Sequence, residues 1–369
     1  MKIGILTQPL SANYGGILQN YALQKVLKDM GHSPITINRL KNRSSNFVKE
    51  IIKWGIRHIK KEYPSYFLSM KQREERCHLL HNFIAENIKI TEPIFEQEIF
   101  DRYISDISID GYIVGSDQVW RPCYSPHIQN YYLDFVKPGI KKIAYAASFG
   151  TDTWEYTDEI TPYIAGLAKR LDAISVRERS AVELCRKYLH VEPTWVVDPT
   201  LLLSAEVYLK FIKTDVDNKD YIVTYFLEDS IENEKFIEKF KSCTGINSVI
   251  SNHTNNYLKR GQTIKDSINI SVEDWLTNIY HSSFVVTDSF HGAVFSILFN
   301  RPFVVRLNGI RGNTRLESLL EDFGLIDCIC TDINHIMIPK IDWGRINSHL
   351  LERKAESLSF LQNSLDSKK

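Results

Sequence analysis

The segment Asp288-Ser289-Phe290-His291-Gly292 sets a single histidine in a short polar break between two apolar runs. Imidazole gives and takes protons near neutral pH, so this position could supply a general acid or base. The alternative is a histidine that is merely packed or hydrogen-bonded. Asp117 follows the apolar run Gly111 to Gly115 and could orient or deprotonate a hydroxyl, or else cap the segment after it. Arg177 ends another such run and offers a planar pair of donors to phosphate or carboxylate; a structural salt bridge is the competing reading. The stretch RLNGIRGNTR adds Arg306, Arg311 and Arg315, which together can hold a polyanion. Near the N-terminus, Asn13, Tyr14 and Gln19 flank Gly15 and Gly16, where exposed amides at a helix start would favour an anion or a sugar. No GxGxxG is present there, and a tight turn without a ligand is the alternative. The eleven histidines show no convincing metal-ligand spacing, and the pair His78 and His81 lies in a basic segment, so no metal site is expected.

Elements must hold these residues in place. Phe284 to Thr287 reads as a buried strand, Asp288 and Ser289 interrupt it, and apolar residues resume through Phe299. That is strand, polar elbow, helix. Pro302 stops the helix near Asn300 and opens a further strand through Val305, which completes a βαβ unit. Ligands of parallel sheets bind beyond the C-terminal strand ends, so Asp288, Ser289, His291 and Gly292 are placed at a functional edge, and Ser289, Phe290 and Gly292 are expected to contact substrate. Further strands are expected at Lys2 to Leu6, Pro34 to Ile37, Gly111 to Gly115, Lys142 to Phe149, Ala173 to Val176, Thr194 to Val197, Asp220 to Leu227 and Asn247 to Ser251. Helices are expected from about Ile17 to Met30, Thr157 to Arg170, Ile231 to Cys243, Val272 to Tyr280, from Leu316 onward, and from about Trp343 to Leu365. The span between Glu86 and Gly111 reads as less regular. The polar stretch Lys213 to Asp220 is the best linker.

A chain of 369 residues exceeds the usual single core, so two domains are the default. A hydrophobic share of 43% with 24% charged residues is that of an ordinary globular protein. The 45 basic residues balance 45 acidic ones, which argues against a nucleic-acid binder. Locally the balance shifts: Lys41 to Arg76 holds ten lysines or arginines against four glutamates. Lys49, Lys53, Arg57 and Lys60 share one helical face, and Phe47, Ile51 and Trp54 another. A solvated face explains this, as does an amphipathic insertion leaning on an anionic membrane or a lipid diphosphate. The six cysteines are scattered, as free thiols in a reducing cytosol would be. MKIGIL reads as a first strand rather than a signal peptide, and charge breaks every apolar run short of a membrane span. A soluble, cytoplasmic protein is expected, with peripheral contact at the inner membrane face as the further option.

Two parallel-sheet domains facing a cleft resemble the GT-B architecture of glycosyltransferases and sugar-nucleotide epimerases. Nucleotide-sugar enzymes of that kind usually clamp ribose with a carboxylate in the helix after the elbow, and Phe290 to Phe299 contains no acidic residue. GSDQVW (Gly115 to Trp120), YAASFG (Tyr145 to Gly150), ISVRE (Ile174 to Glu178), VVDPTLLL (Val196 to Leu203) and TDSFHGAVFSILFNRPFVV (Thr287 to Val305) resemble, in this order, the polysaccharide pyruvyltransferase family. The likeness runs from NYGG near the N-terminus to Asn313-Thr314-Arg315, with Lys41 to about Ile109 least covered. The resemblance implies a GT-B-like fold and transfer of the pyruvyl group of phosphoenolpyruvate to two hydroxyls of a sugar, forming a cyclic ketal and releasing phosphate. It implies no cofactor, phosphoenolpyruvate being the donor substrate. It assigns His291 as acid or base, Arg177 to the donor's anionic groups, and Asp117 to the sugar. Ser289 departs from the family, whose members often carry arginine there, which leaves Arg306, Arg311 or Arg315 to supply donor charge. The implied division is an acceptor-side domain over 1–212 with a basic helical insertion at about 41–90, a donor-side domain over 213–342, and a helix over 343–369 crossing back to the first. The acceptor expected is a galactose- or mannosamine-type residue on a lipid-diphosphate-linked precursor. A GT-B glycosyltransferase with a nucleotide-sugar donor, and a non-catalytic glycan-binding protein, are the competing readings.

Overall fold

The computed structural model describes residues 1–41, 69–215, 220–227, 230–252, 263–307, 313–333 and 335–367. Short apolar runs in the first half form the strands β1 (Lys2–Leu6), β2 (Ser33–Thr36), β3 (Gly111–Val114), β4 (Lys141–Ala147), β5 (Ala173–Val176) and β6 (Thr194–Trp195). They pair in the order β2-β1-β3-β4-β5-β6, every pair parallel. Parallel strands need crossovers. Helices α1 (Tyr14–Asp29), α2 (Met70–Asn87), α3 (Gln97–Asp106), α4 (Thr161–Ala168) and α5 (Arg179–Leu184) lie in these connections. After the short helices α6 (Pro199–Leu202) and α7 (Ala205–Leu209), a second parallel sheet forms from β7 (Ile222–Tyr225), β8 (Val249–Ser251), β9 (Phe284–Thr287) and β10 (Phe303–Val305), in the order β10-β9-β7-β8. Its helices are α8 (Ile231–Thr244), α9 (Val272–His281) and α10 (Phe290–Leu298); α11 (Thr314–Phe323) and α12 (Trp343–Asp366) complete the chain.

Side chains alternate between faces of a strand, and the burial follows that period. Ile113 and Val285 enter one large apolar core shared by both sheets, together with Ile17, Trp275 and Leu361. Their neighbours Tyr112 and Val114 pack on the other face of the first sheet, and Val286 on the other face of the second. In each sheet the order reverses beside the first strand, between β1 and β3 and between β7 and β9. Crevices open at such switch points beyond the C-terminal strand ends. Asp117 follows β3 and His291 follows β9, so both leave switch-point strands.

Several boundaries differ from the sequence reading, each for a local reason. α1 starts at Tyr14 rather than Ile17 because Asn13 caps it, accepting from the Gly16 amide at 3.3 Å, which puts Gly15 and Gly16 inside the first turn. α3 occupies a span read as irregular; its inward side is carried by Phe100, fully buried, with Tyr103 and Ile104 packed beside it. α4 begins four residues late, at Thr161, with Pro162 in its first turn. The basic face at Lys49 to Lys60 lies outside the described residues. α12 packs against β4 and α6 of the first half and against α11 of the second.

Candidate active site

α10 tucks close under β9 because Gly292 has no side chain: a Cβ there would sit 2.4 Å from Thr287 Oγ1. Thr287 donates to the Tyr225 carbonyl and accepts from the Ser289 amide, and Ser289 caps the helix toward Gly292. Asp288 accepts from the Leu227 amide at 2.7 Å and so ties the loops of the two switch-point strands together. The elbow is therefore rigid before any ligand is considered. It presents His291 in the first turn of α10, 5% exposed.

The imidazole meets the first domain directly. Gly15 of α1 lies so close that a Cβ on it would stand 2.0 Å from His291 Nδ1. On the other side, His291 Nε2 is 3.6 Å from Asp198 Oδ2, an ion-pair separation longer than a hydrogen bond. Asp198 is fully buried at the start of α6 and accepts from Arg177 Nη1 at 2.8 Å, Ser116 Oγ at 3.1 Å, and the amide and hydroxyl of Thr200 at 3.0 and 2.8 Å. Arg177 extends its other terminal nitrogen to Asp117 Oδ1 at 3.1 Å, and Arg315 Nη1 approaches the same oxygen at 3.5 Å. The Arg177 guanidinium lies 4.5 Å over the ring of Phe290. One connected network thus joins β3, β5 and α6 of the first domain to the starts of α10 and α11.

Its charges are held by one another. Burial raises the Asp198 carboxyl, but the neighbouring His291 and Arg177 more than offset this and hold it well below the usual carboxylate range. Asp117 is likewise raised by burial and lowered further by Arg177, Arg315 and His291. Burial, with help from Arg177, pushes Arg315 down to about 10, against the opposing pull of Asp117 and Glu178. Glu178, fully buried, is pushed up by its desolvation, although one oxygen accepts from Ser148 Oγ and from the amides of Phe149 and Gly150. Five buried polar atoms here have no hydrogen-bond partner among the described residues: His291 Nε2, Arg177 Nε, Arg315 Nε, Glu178 Oε2 and Thr314 Oγ1. Buried polar groups are normally satisfied, so such a concentration marks a place for a ligand or solvent.

The structure brings together His291, Asp117, Arg177, Phe290, Arg315 and Gly15. Ser289 and Gly292 form the elbow's cap and packing contact, and Asn13 and Gly16 the cap of α1. Tyr14 and Gln19, expected to face a ligand, do not. Tyr14 is fully buried, stacks on Trp275 and donates to the Ile270 carbonyl across the domain boundary. Gln19 is spent on Thr7, the Gly16 carbonyl and the Ser116 amide, bracing the β1 and β3 switch point. Tyr14 ends up inside because α1 starts earlier than expected, and Gln19 because its amide bridges the ends of β1 and β3. Arg177 commits one N–H of each terminal nitrogen to a carboxylate, and its Nε has no partner among the described residues. Arg306 lies 5.6 Å over the Phe236 ring, and Arg311 falls outside the described residues. Asp198, Ser116 and Glu178 were not singled out from the sequence. Asp198 had a usable signal, since Asp-Pro-Thr directly after a strand is a helix cap at the same sheet edge as Asp117. Among the described residues, no three His, Cys, Asp or Glu side chains are grouped to hold a metal ion.

Two parallel sheets sharing a core, with a histidine and two buried carboxylates at their joint, define a GT-B-like two-domain α/β protein. A sequence model of the polysaccharide pyruvyl transferase family matches residues 13–308, and the chain belongs to that family. It is accordingly a transferase of polysaccharide biosynthesis. No curated protein matches the sequence significantly. Among solved structures, Arabidopsis thaliana UGT89C1 complexed with UDP-L-rhamnose is similar at TM-score 0.53 and 9% identity, covering 97% of each chain. UDP-GlcNAc 2-epimerase from Neisseria meningitidis bound to UDP-GlcNAc matches at TM-score 0.47 and 10% identity, over 98% of this chain and 94% of that one. At such identities the likeness concerns the fold alone. Among the described residues no helix is long and apolar enough to cross a membrane.

Proposed function

We propose that this protein transfers the pyruvyl group of phosphoenolpyruvate to two hydroxyls of one sugar, closing a cyclic ketal and releasing phosphate. The observation that supports this most is the His291 imidazole, placed between Gly15 and the buried Asp198 within a network that includes Arg177, Asp117 and Arg315. The methylene carbon of the donor must take a proton so that its neighbour becomes electrophilic, and the imidazolium of His291 is the group suited to give it. Asp198, 3.6 Å from Nε2, is the counter-charge to that imidazolium. One sugar hydroxyl then adds, phosphate leaves, and the second hydroxyl closes the ring. Of the two hydroxyl protons, one ends on the new methyl group and the other on phosphate, so His291 is restored. Asp117, kept ionised by two guanidiniums, is a weak base, and we assign it to orienting a hydroxyl by accepting its hydrogen bond. The unpartnered Nε atoms of Arg177 and Arg315 and the starts of α10 and α11 suit the donor's carboxylate and phosphate.

The acceptor in this reading is a galactose- or mannosamine-type residue on a lipid diphosphate, met at the cytoplasmic membrane face. The test is phosphate release from phosphoenolpyruvate with galactosides and N-acetylmannosaminides, offered both as soluble glycosides and as lipid-diphosphate conjugates. Acceptor-dependent release by the wild type, reduced roughly 100-fold or more in His291→Ala, is expected. Thermal stabilisation by UDP without any response to phosphoenolpyruvate would overturn the proposal in favour of a nucleotide-sugar donor. Preference for the soluble glycosides would remove the lipid-linked acceptor.

A further inference from the structure

The loop leaving β3 carries more than Asp117. It runs on through Gln118, Trp120 and Arg121 to Tyr124, whose side chain is 39% exposed. Isolated exposed apolar groups are ordinary. This ring differs because the fold fixes it from several directions. Gln8 Nε2 donates to the Gln118 carbonyl and to Ser125 Oγ, each at 2.8 Å, and Ser125 Oγ donates to the Val119 carbonyl at 2.6 Å. The Tyr124 amide donates to the Arg121 carbonyl at 3.0 Å. The Arg121 guanidinium lies 4.9 Å from the Tyr124 ring centre and is itself forked onto Glu155 at 2.7 and 2.9 Å. The Val119 amide donates to the Asp117 carbonyl at 2.7 Å and Ser125 Oγ to the Val119 carbonyl, so Tyr124 belongs to the same compact turn as Asp117, within electrostatic range of Arg315.

A flat aromatic face held in the same turn as Asp117 is a surface for the C–H face of a pyranose, because the ring's negative quadrupole attracts the slightly positive hydrogens of that face. Backing by Arg121 and Glu155 removes most of the ordering entropy that stacking would otherwise require. We infer that Tyr124 is the stacking platform of the acceptor subsite, binding the ring of a pyranoside whose hydroxyls then reach Asp117 and His291. This deepens the proposed function and rests on it for the identity of the reaction, though not for the binding of sugar.

The experiment combines kinetics with binding that needs no turnover. Tyr124→Ala is expected to raise KM for the acceptor glycoside roughly tenfold with KM for phosphoenolpyruvate unchanged. Tyr124→Phe and Tyr124→Trp are expected to retain near wild-type values, and unaltered far-ultraviolet circular dichroism verifies that the variants are folded. In parallel, saturation-transfer NMR with methyl β-galactopyranoside and the methyl glycoside of N-acetylmannosamine should show ring-proton transfer that disappears in Tyr124→Ala. If the wild type binds these glycosides through Tyr124 yet releases no phosphate from phosphoenolpyruvate, the platform stands and the proposed reaction falls. An unchanged acceptor KM in Tyr124→Ala overturns the platform, as does wild type that binds no pyranoside. Tyr124-dependent transfer to the uracil of UDP in place of a pyranose also overturns it.

Discussion

Arg177 divides its terminal nitrogens between Asp198 and Asp117, so removing either carboxylate halves the counter-charge of a guanidinium whose side chain has no exposure to water. Breaking a buried ion pair from one side costs about 3–5 kcal/mol. Asp198→Asn should therefore lower the unfolding free energy by that order, read from urea titration at pH 7, and lower kcat as the imidazole loses its counter-charge. The pH dependence has a definite sign. The folded-state pKa of Asp198 lies below that of the unfolded chain, so the unfolded chain takes up the proton first as acid is added. The stabilisation is fully present above about pH 4 and is lost as pH falls through the folded value. The stability gap between wild type and Asp198→Asn should be widest near neutrality and narrow below about pH 4. A constant gap would show that the charge of Asp198 is not what stabilises the fold. The adjacent glycines of α1 provide a sharper contrast. A Cβ on Gly15 would stand 2.0 Å from His291 Nδ1, whereas on Gly16 its nearest neighbours are Asn13 atoms at 3.5 Å, an ordinary contact. Gly15→Ala should displace the imidazole and lower kcat on the order of 100-fold, while Gly16→Ala keeps kcat within about twofold. Equal effects at the two positions would mean that α1 does not position the ring.

At the scale of elements, the elbow depends on how closely α10 lies under β9. Gly292→Ala would drive a methyl group to 2.4 Å from Thr287 Oγ1 and 3.0 Å from Thr287 Cβ, and the strand cannot yield without losing the Thr287 bond to the Tyr225 carbonyl. A destabilisation of about 1–3 kcal/mol is expected by calorimetry or denaturant titration. A neutral result would imply that α10 can slide outward without penalty. This unit was legible in the sequence because every cue for it is local: β-branched residues, a polar break, a long apolar run, then proline. The parallel sheets were legible for the same reason, and so was the placement of Asp117, Arg177 and His291 at strand ends. Less legible was whatever depends on one side chain far along the chain. The start of α1 is set by a cap at Asn13 whose glycine-rich first turn resembles a loop. Asp198 becomes important only because two domains bring Arg177, Ser116 and His291 to it, and no periodicity encodes that meeting. Tyr14 was misjudged in the same way, since its partners Trp275 and Ile270 lie more than 250 residues away.

For the whole molecule, the relative placement of the two sheets decides whether His291 meets Asp198, and α12 is a brace for that placement. Its Arg353 donates to Asp322 near the end of α11 at 2.9 Å, lies 4.7 Å over the Trp195 ring, and reaches the Trp195 carbonyl of β6 at 3.3 Å. His349 adds a second contact to Asp322 at 3.1 Å. Further along the same helix, Ser357 accepts from the Val197 amide next to Asp198, and Lys141 of β4 donates to the Ser364 carbonyl. α12 thereby fastens α11 of the second half to β6 and the Asp198 turn of the first. α11 carries Arg315 at its other end, beside Asp117. Loosening the far end of α11 should therefore be felt at the pocket. Arg353→Ala is expected to destabilise the fold by about 3 kcal/mol, since the pair with Asp322 is only 12% exposed on each side. It should also raise KM for phosphoenolpyruvate severalfold, although Arg353 belongs to no part of the site itself. Arg353→Lys keeps the charge but not the planar fork over Trp195, so it should recover part of the stability and less of the KM. Loss of stability with an unchanged KM would show that α12 supports the fold without setting the position of Arg315.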